Sequence, residues 1–144
     1  MKKLSILIAV IALLGGAIIW AGKPATPAEK GIHFENITFN QALLEAKQEH
    51  KLVFMNVYAT WCVPCKMMMK NTLTTGKVGS VFNKDFVNIS VDAEKGEGIE
   101  LVKRYQINGH PLMLVINPQG DVVKRILGYM DSDQLLAQVK GLTK

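Results

Sequence analysis

Cysteine is scarce in this chain. Two cysteines in 144 residues exclude a disulfide-dense scaffold, so folding must rest on an ordinary hydrophobic core. An excess of one charge is equally thin once it is located. Lysine and arginine number 17 against 12 acidic residues, a formal net charge of +5. Lys2 and Lys3 lie at the very N-terminus, and without residues 1–22 the balance is 17 − 2 = 15 against 12, or +3. The other basic residues, Lys47, Lys51, Lys66, Lys70, Lys103 and Arg104 among them, form no dense block and do not interleave with aromatics. Solvated faces explain them, and no nucleic-acid partner is implied. At 49% hydrophobic and 20% charged residues the chain is not of the disordered class. Its length admits one compact domain and an appendage.

The appendage is the one long hydrophobic run. After Met1, Lys2 and Lys3, the 19 residues 4–22 carry no charge. Two lysines before such a run match the n- and h-regions of a secretory signal, and the positive-inside rule sends the remainder across the membrane. Cleavage near Ala21 would put Ile19 or Trp20 where a small side chain is needed, which favours an uncleaved anchor. The run approaches the roughly 20 residues that span a bilayer, with Trp20 at the interface. Residues 1–22 therefore read as signal peptide or membrane anchor. Residues 23–30 (KPATPAEK) read as a stiff polar linker, and residues 31–144 as the folded domain.

Within the domain, residues 32–37 are expected to open a strand. Thr38 and Gln41 fit a capping box before a helix with Phe39, Leu43 and Ala46 on its apolar face. Leu52–Tyr58 is almost continuously apolar, as in a strand covered on both faces, and Asn56 is its one interruption. A helix is expected from the cysteines to about Leu73, broken by Gly76 and Gly79, with a short helical turn over 78–83. Val87, Ile89 and Val91 alternate as a strand, and residues 99–105 read as a helix. Leu112–Ile116 and Val122–Leu127 form a hairpin around Asn117-Pro118-Gln119-Gly120. Asp131 or Ser132 caps a last helix with Leu135, Val139 and Leu142 inward. The order is βαβαβαββα.

The chemistry lies in Trp61-Cys62-Val63-Pro64-Cys65-Lys66, at a strand-to-helix junction. Cysteines three apart on a helical turn sit within bridging distance. The helix N-terminus lowers the pKa of the first, so Cys62 is the expected nucleophile. Cys65, one turn in and expected to be the more buried, is the resolving thiol. Pro64 suits the first turn, where its missing N–H costs nothing. A structural zinc site is the competing reading, but there is no second CxxC, and His33, His50 and His110 have no ligand spacing. No metal is expected. A purely structural disulfide over so short a loop would stabilise little.

These residues carry a family resemblance. The WCVPCK motif after a buried strand, with Gly109-His110-Pro111 before another, is similar to the thioredoxin superfamily over residues 32–144. The resemblance implies an α/β thioredoxin-like fold, a central mixed β-sheet flanked by helices. It implies Pro111 as a cis-proline opposite the disulfide, Trp61 packed beside it, and no cofactor beyond the redox-active Cys62–Cys65 pair. Within the superfamily, Val63-Pro64, the break through Gly76 and the turn at Asn117 resemble exported reductases, the C-terminal domain of the DsbD reductase among them.

Three positions depart from the pattern. Thioredoxins carry a buried aspartate six residues before the first cysteine; here that place is Asn56, which is no base. The lysine paired with that acid would fall near Asn88, so a neutral amide pair is expected there, with Glu94 or solvent left to take protons. Leu112 replaces the usual threonine after the cis-proline and is expected to make the substrate groove more apolar. His110, whose backbone would pair with substrate, has two readings: an imidazole near the sulfurs that favours a thiolate when protonated, or a loop histidine that faces solvent.

Met67, Met68 and Met69 invite a Cu(I) reading, because thioethers and thiolates suit that ion. Consecutive helical residues diverge, so core filling and an adaptable rim are the better expectation. The reading is a periplasmic protein-disulfide reductase, tethered to the inner membrane where residues 4–22 are retained. Its substrates are disulfide-containing proteins and its electron donor a membrane protein of the DsbD type. The alternatives are a disulfide oxidase or isomerase, and a Cu(I)-binding module without turnover.

Overall fold

The computed structural model describes residues 31–143. The expected signal or anchor and its linker, residues 1–30, lie outside the described residues. Among those described, no helix is long and apolar enough to cross a membrane.

Thr38 starts the first helix as its neighbours predict. Its hydroxyl accepts the Gln41 N–H at 3.3 Å, and the Gln41 carboxamide accepts the Thr38 N–H at 2.8 Å. This closes the capping box. Helix α1 (Phe39–Glu49) buries Phe39, Ala42 and Ala46, and Leu43 packs at the margin of that face. The chain continues through β1 (Leu52–Tyr58), α2 (Val63–Met68), a π-helical turn (Met69–Leu73) and α3 (Gly76–Asp85). Then come β2 (Phe86–Asp92), α4 (Gly98–Arg104), β3 (Leu112–Ile116), β4 (Val122–Leu127) and α5 (Ser132–Val139). A second capping box, Asp131 with Gln134, opens α5.

The sheet has the order β2-β1-β3-β4. β1 runs parallel to β2 and antiparallel to β3, and β3 runs antiparallel to β4. This is the expected mixed sheet flanked by helices. Alternation along β1 divides the core. Val53, Met55 and Val57 pack with α1 and α4 through Phe39, Ala46 and Leu101. Phe54, on the other face, packs with Met68, Leu73, Phe82, Phe86 and Leu135. The Phe54 and Phe82 rings meet edge to face at 4.6 Å.

Two expectations are corrected. Residues 32–37 form no strand; the segment runs beside β2 with one bond from the Glu35 N–H to the Asn88 carbonyl at 2.8 Å. The helical run from the cysteines ends at Leu73 as expected, but the break falls at Thr74 and Thr75, and Gly76 and Gly79 lie within α3, which is longer than predicted. A Cβ on Gly79 would sit 2.2 Å from the Gly31 carbonyl oxygen. Glycine is there so that the incoming segment can lie on α3, a long-range packing demand that local rules read as a helix stop.

Candidate functional site

β1 ends at Tyr58, and the chain turns through Ala59, Thr60 and Trp61 into α2. Cys62 is the N-cap in an extended conformation (φ −74°, ψ 104°), and Val63 and Pro64 begin the helix. Proline fits there because first-turn N–H groups have no helical acceptor. Cys62 and Cys65 are disulfide-bonded with Cα atoms 5.3 Å apart. The Cys65 N–H donates to the Cys62 sulfur at 3.2 Å, so an otherwise unpaired amide of the helix start is directed at that sulfur.

Both cysteines are buried, Cys62 at 3% exposure and Cys65 at 7%. The expectation that Cys65 is the deeper of the two is therefore overturned. An open pocket of about 520 Å³ explains it, bordered by Asn56, Tyr58, Cys65, Lys66, Met69 and Lys70. It reaches the disulfide from behind α2.

On the outer side, Trp61 and Val63 are 65% and 63% exposed. The Trp61 indole N–H donates to Glu94 Oε1 at 2.9 Å, and its ring meets the His110 imidazole edge to face at 6.2 Å. These contacts bring Glu94 and His110 together on Trp61, the residue that precedes Cys62. The His110–Pro111 peptide is cis, and Pro111 follows directly from the Trp61 contact. His110 Nδ1 is buried with no hydrogen-bond partner.

Leu112 does not line a groove. Its side chain is buried with Val57 and Leu114, because the first residue of β3 points to the inner face. Leu127, its β4 partner, is exposed and lies against Gly109. Sequence reading missed it, because a register counted from the Asn117 turn sets Ile126 beside Leu112, and the bulge between Val115 and Ile116 shifts the pairing by one residue to Leu127.

Asn56 is buried and donates from Nδ2 to Ser90 Oγ at 3.1 Å. The neutral pairing is as expected but the partner is not. In the parallel register Asn56 faces Ser90, while Asn88 faces Phe54. Asn88 instead donates to the Phe82 carbonyl at 3.1 Å at the end of α3. The methionines diverge as argued. Met68 is in the core, whereas Met67 and Met69 are exposed.

A CxxC disulfide at the start of a helix, directly after the central strand of a mixed sheet, defines a thiol–disulfide redox centre on a thioredoxin-like frame. Comparison with known proteins agrees. Residues 39–142 match the model of a thioredoxin-like domain. The chain is 33% identical over 137 residues to the thiol:disulfide interchange protein DsbD of Salmonella typhimurium, covering 85% of this chain and 24% of that protein. It thus spans about a quarter of the length of the curated relatives it matches.

Among solved structures, a candidate disulphide-isomerase from Bacteroides thetaiotaomicron superposes with a TM-score of 0.70 at 42% identity, covering 78% of this chain and 93% of that one. The reduced C-terminal domain of Neisseria meningitidis DsbD superposes with a TM-score of 0.59 at 31% identity, covering 70% and 90%. The chain belongs to the thioredoxin-like family. It is a thioredoxin-like thiol–disulfide oxidoreductase, homologous to DsbD, with Cys62–Cys65 as its CxxC disulfide.

Proposed function

We propose that the chain reduces protein disulfides in the periplasm, with Cys62 as nucleophile, Cys65 as resolving thiol and no cofactor beyond that pair. The observation that carries this reading is the Cys65 N–H directed at the Cys62 sulfur. In the dithiol form the same donor, with the positive end of α2, favours a Cys62 thiolate. That thiolate attacks a substrate disulfide, forming a mixed disulfide and releasing one substrate thiolate. Cys65 then attacks the Cys62 sulfur, the second substrate thiolate leaves, and two electrons have passed to the substrate.

The exposed Trp61 and Val63 give a substrate chain an apolar surface beside the sulfur, and the backbone at His110, before the cis-proline Pro111, supplies main-chain partners. The direction follows from Val63-Pro64, which places no histidine between the cysteines to stabilise the thiolate further. Kinship with DsbD supports a periplasmic setting and a DsbD-type membrane protein as electron donor, with residues 4–22 as the export signal or anchor.

The test is the equilibrium reduction potential of the full chain. A value near roughly −270 mV supports the reductase, one near about −180 mV isomerisation, and one near about −120 mV oxidation. A Cys65→Ala variant is expected to accumulate mixed disulfides, seen on non-reducing gels. Failure to trap any would remove Cys65 from the resolving role.

A further inference from the structure

Resolution of the mixed disulfide requires Cys65 to lose a proton, and the residue behind it is an amide. Asn56 donates one N–H to Ser90, and its amide accepts no proton at neutral pH. The pocket on which Asn56 and Cys65 both open contains no carboxylate, and its two charged residues are Lys66 and Lys70. They are one helical turn apart at i and i+4, so their side chains flank the same wall. Among the described residues neither ammonium forms an ion pair.

The nearby acids are committed elsewhere. Asp92, level with Tyr58 in the register, pairs with Lys95 at 3.5 Å and accepts the Glu94 N–H at 3.0 Å. Glu94 accepts from Trp61, and His110 packs against the Trp61 ring and is not among the residues that line the pocket. Tyr58 is the only other titratable group on the pocket wall.

We infer that Lys66 and Lys70 are positioning residues for the resolving step: their charges stabilise the Cys65 thiolate at the pocket where thioredoxins use a buried acid. The inference rests on the proposed thiol–disulfide exchange but not on its direction. The Cys65 S–H proton leaves through the open pocket to solvent. The resulting thiolate forms the Cys62–Cys65 bond, the bond from Cys62 to the substrate sulfur breaks, and its electron pair leaves with the substrate thiolate. Charge stabilisation replaces proton acceptance, so no base is required. A positive charge several ångströms from a sulfur in a solvent-open pocket shifts its titration only modestly, by about half a pH unit per charge.

The experiment titrates Cys65 alone, in the full chain with Cys62→Ala, by thiolate absorbance near the ultraviolet edge. Adding Lys66→Gln and Lys70→Gln is expected to raise the midpoint by about one unit. The paired Lys→Arg variant keeps the original midpoint, because charge and not ammonium chemistry is at work. In the dithiol protein the Gln pair should slow mixed-disulfide resolution several-fold at pH 7 and leave the rate unchanged well above both midpoints. An unmoved midpoint in the Gln pair overturns the inference. If that variant does not fold, the salt response of the Cys62→Ala protein decides. A midpoint that climbs in 1 M potassium chloride supports the inference, and one that stays fixed overturns it. Loss of the proposed function is read separately, as absence of exchange in the unmodified chain.

Discussion

The two faces of β1 carry one strand through two different environments. On the face toward α1 and α4, Val53, Met55 and Val57 are buried without interruption among aliphatic and aromatic side chains. On the face toward α2, Phe54 sits at the centre of an aromatic cluster, yet the next residues on that face, Asn56 and Tyr58, already border the pocket behind Cys65. One face is closed along its length. The other passes from core to redox site within two residues. A buried amide on such a strand costs free energy unless it is bonded, and the bond to Ser90 from β2 offsets it. The site is therefore anchored to the best-packed part of the fold while its sulfurs stay at the edge.

The comparison can be broken hardest at the site end. Cys62→Ala is expected to abolish disulfide exchange, measured by insulin reduction, while the thermal transition of the reduced protein stays nearly unchanged. Exchange persisting in that variant would overturn the mechanism. Phe54→Ala, at the core end of the same face, should cost about 3–5 kcal/mol in denaturant titrations and also impair exchange, because Met68 and the base of α2 pack on that ring. Met55→Ala on the closed face should cost about 2–5 kcal/mol but leave the exchange rate of the folded fraction intact. Equal kinetic damage from both would erase the distinction between the faces.

Asn56→Asp sharpens the comparison through pH. Burial would raise the new carboxyl above its unfolded value of about 3.9. Its cost is then absent at low pH and grows as the pH rises toward the folded-state pKa, reaching about 1–3 kcal/mol at pH 8. Denaturant midpoints at pH 4 and pH 8 measure this, and equal losses at both would show that the site is already wet.

The smallest effect is expected far from the site. Burial, and next the nearby Glu45 carboxylate, which also hydrogen-bonds to it, raise the Glu35 pKa above the usual range. Glu35→Gln should therefore leave stability unchanged at pH 3 and raise it by a few tenths of a kcal/mol at pH 7, a gain reduced by solvent screening.

Much of this organisation is written locally. The capping boxes at Thr38 and Asp131, the two-sided apolar run of β1, the hairpin turn at Asn117 and the CxxC at a strand-to-helix junction each depend on neighbours within a few residues. Periodicity and capping chemistry reveal them from the chain alone. The places where local reading failed are those set by distant partners. Residues 32–37 look like a strand, but they make only a single bond to β2. Gly79 looks like a helix stop, yet its missing side chain admits Gly31. Leu112 looks like a groove residue until the pleat turns it inward.

By itself the sequence determined the type of each major element, the residues of the redox pair and the absence of a carboxylic acid at position 56, because these depend on side-chain identity and short spacing. Only the tertiary structure decided that Ser90 faces Asn56, that Leu127 borders the loop before Pro111 and that Cys65 opens on a lysine-flanked pocket. Those facts follow from strand register, with its bulge between β3 and β4, and from how α2 lies on the sheet, and both exist only once the chain has folded.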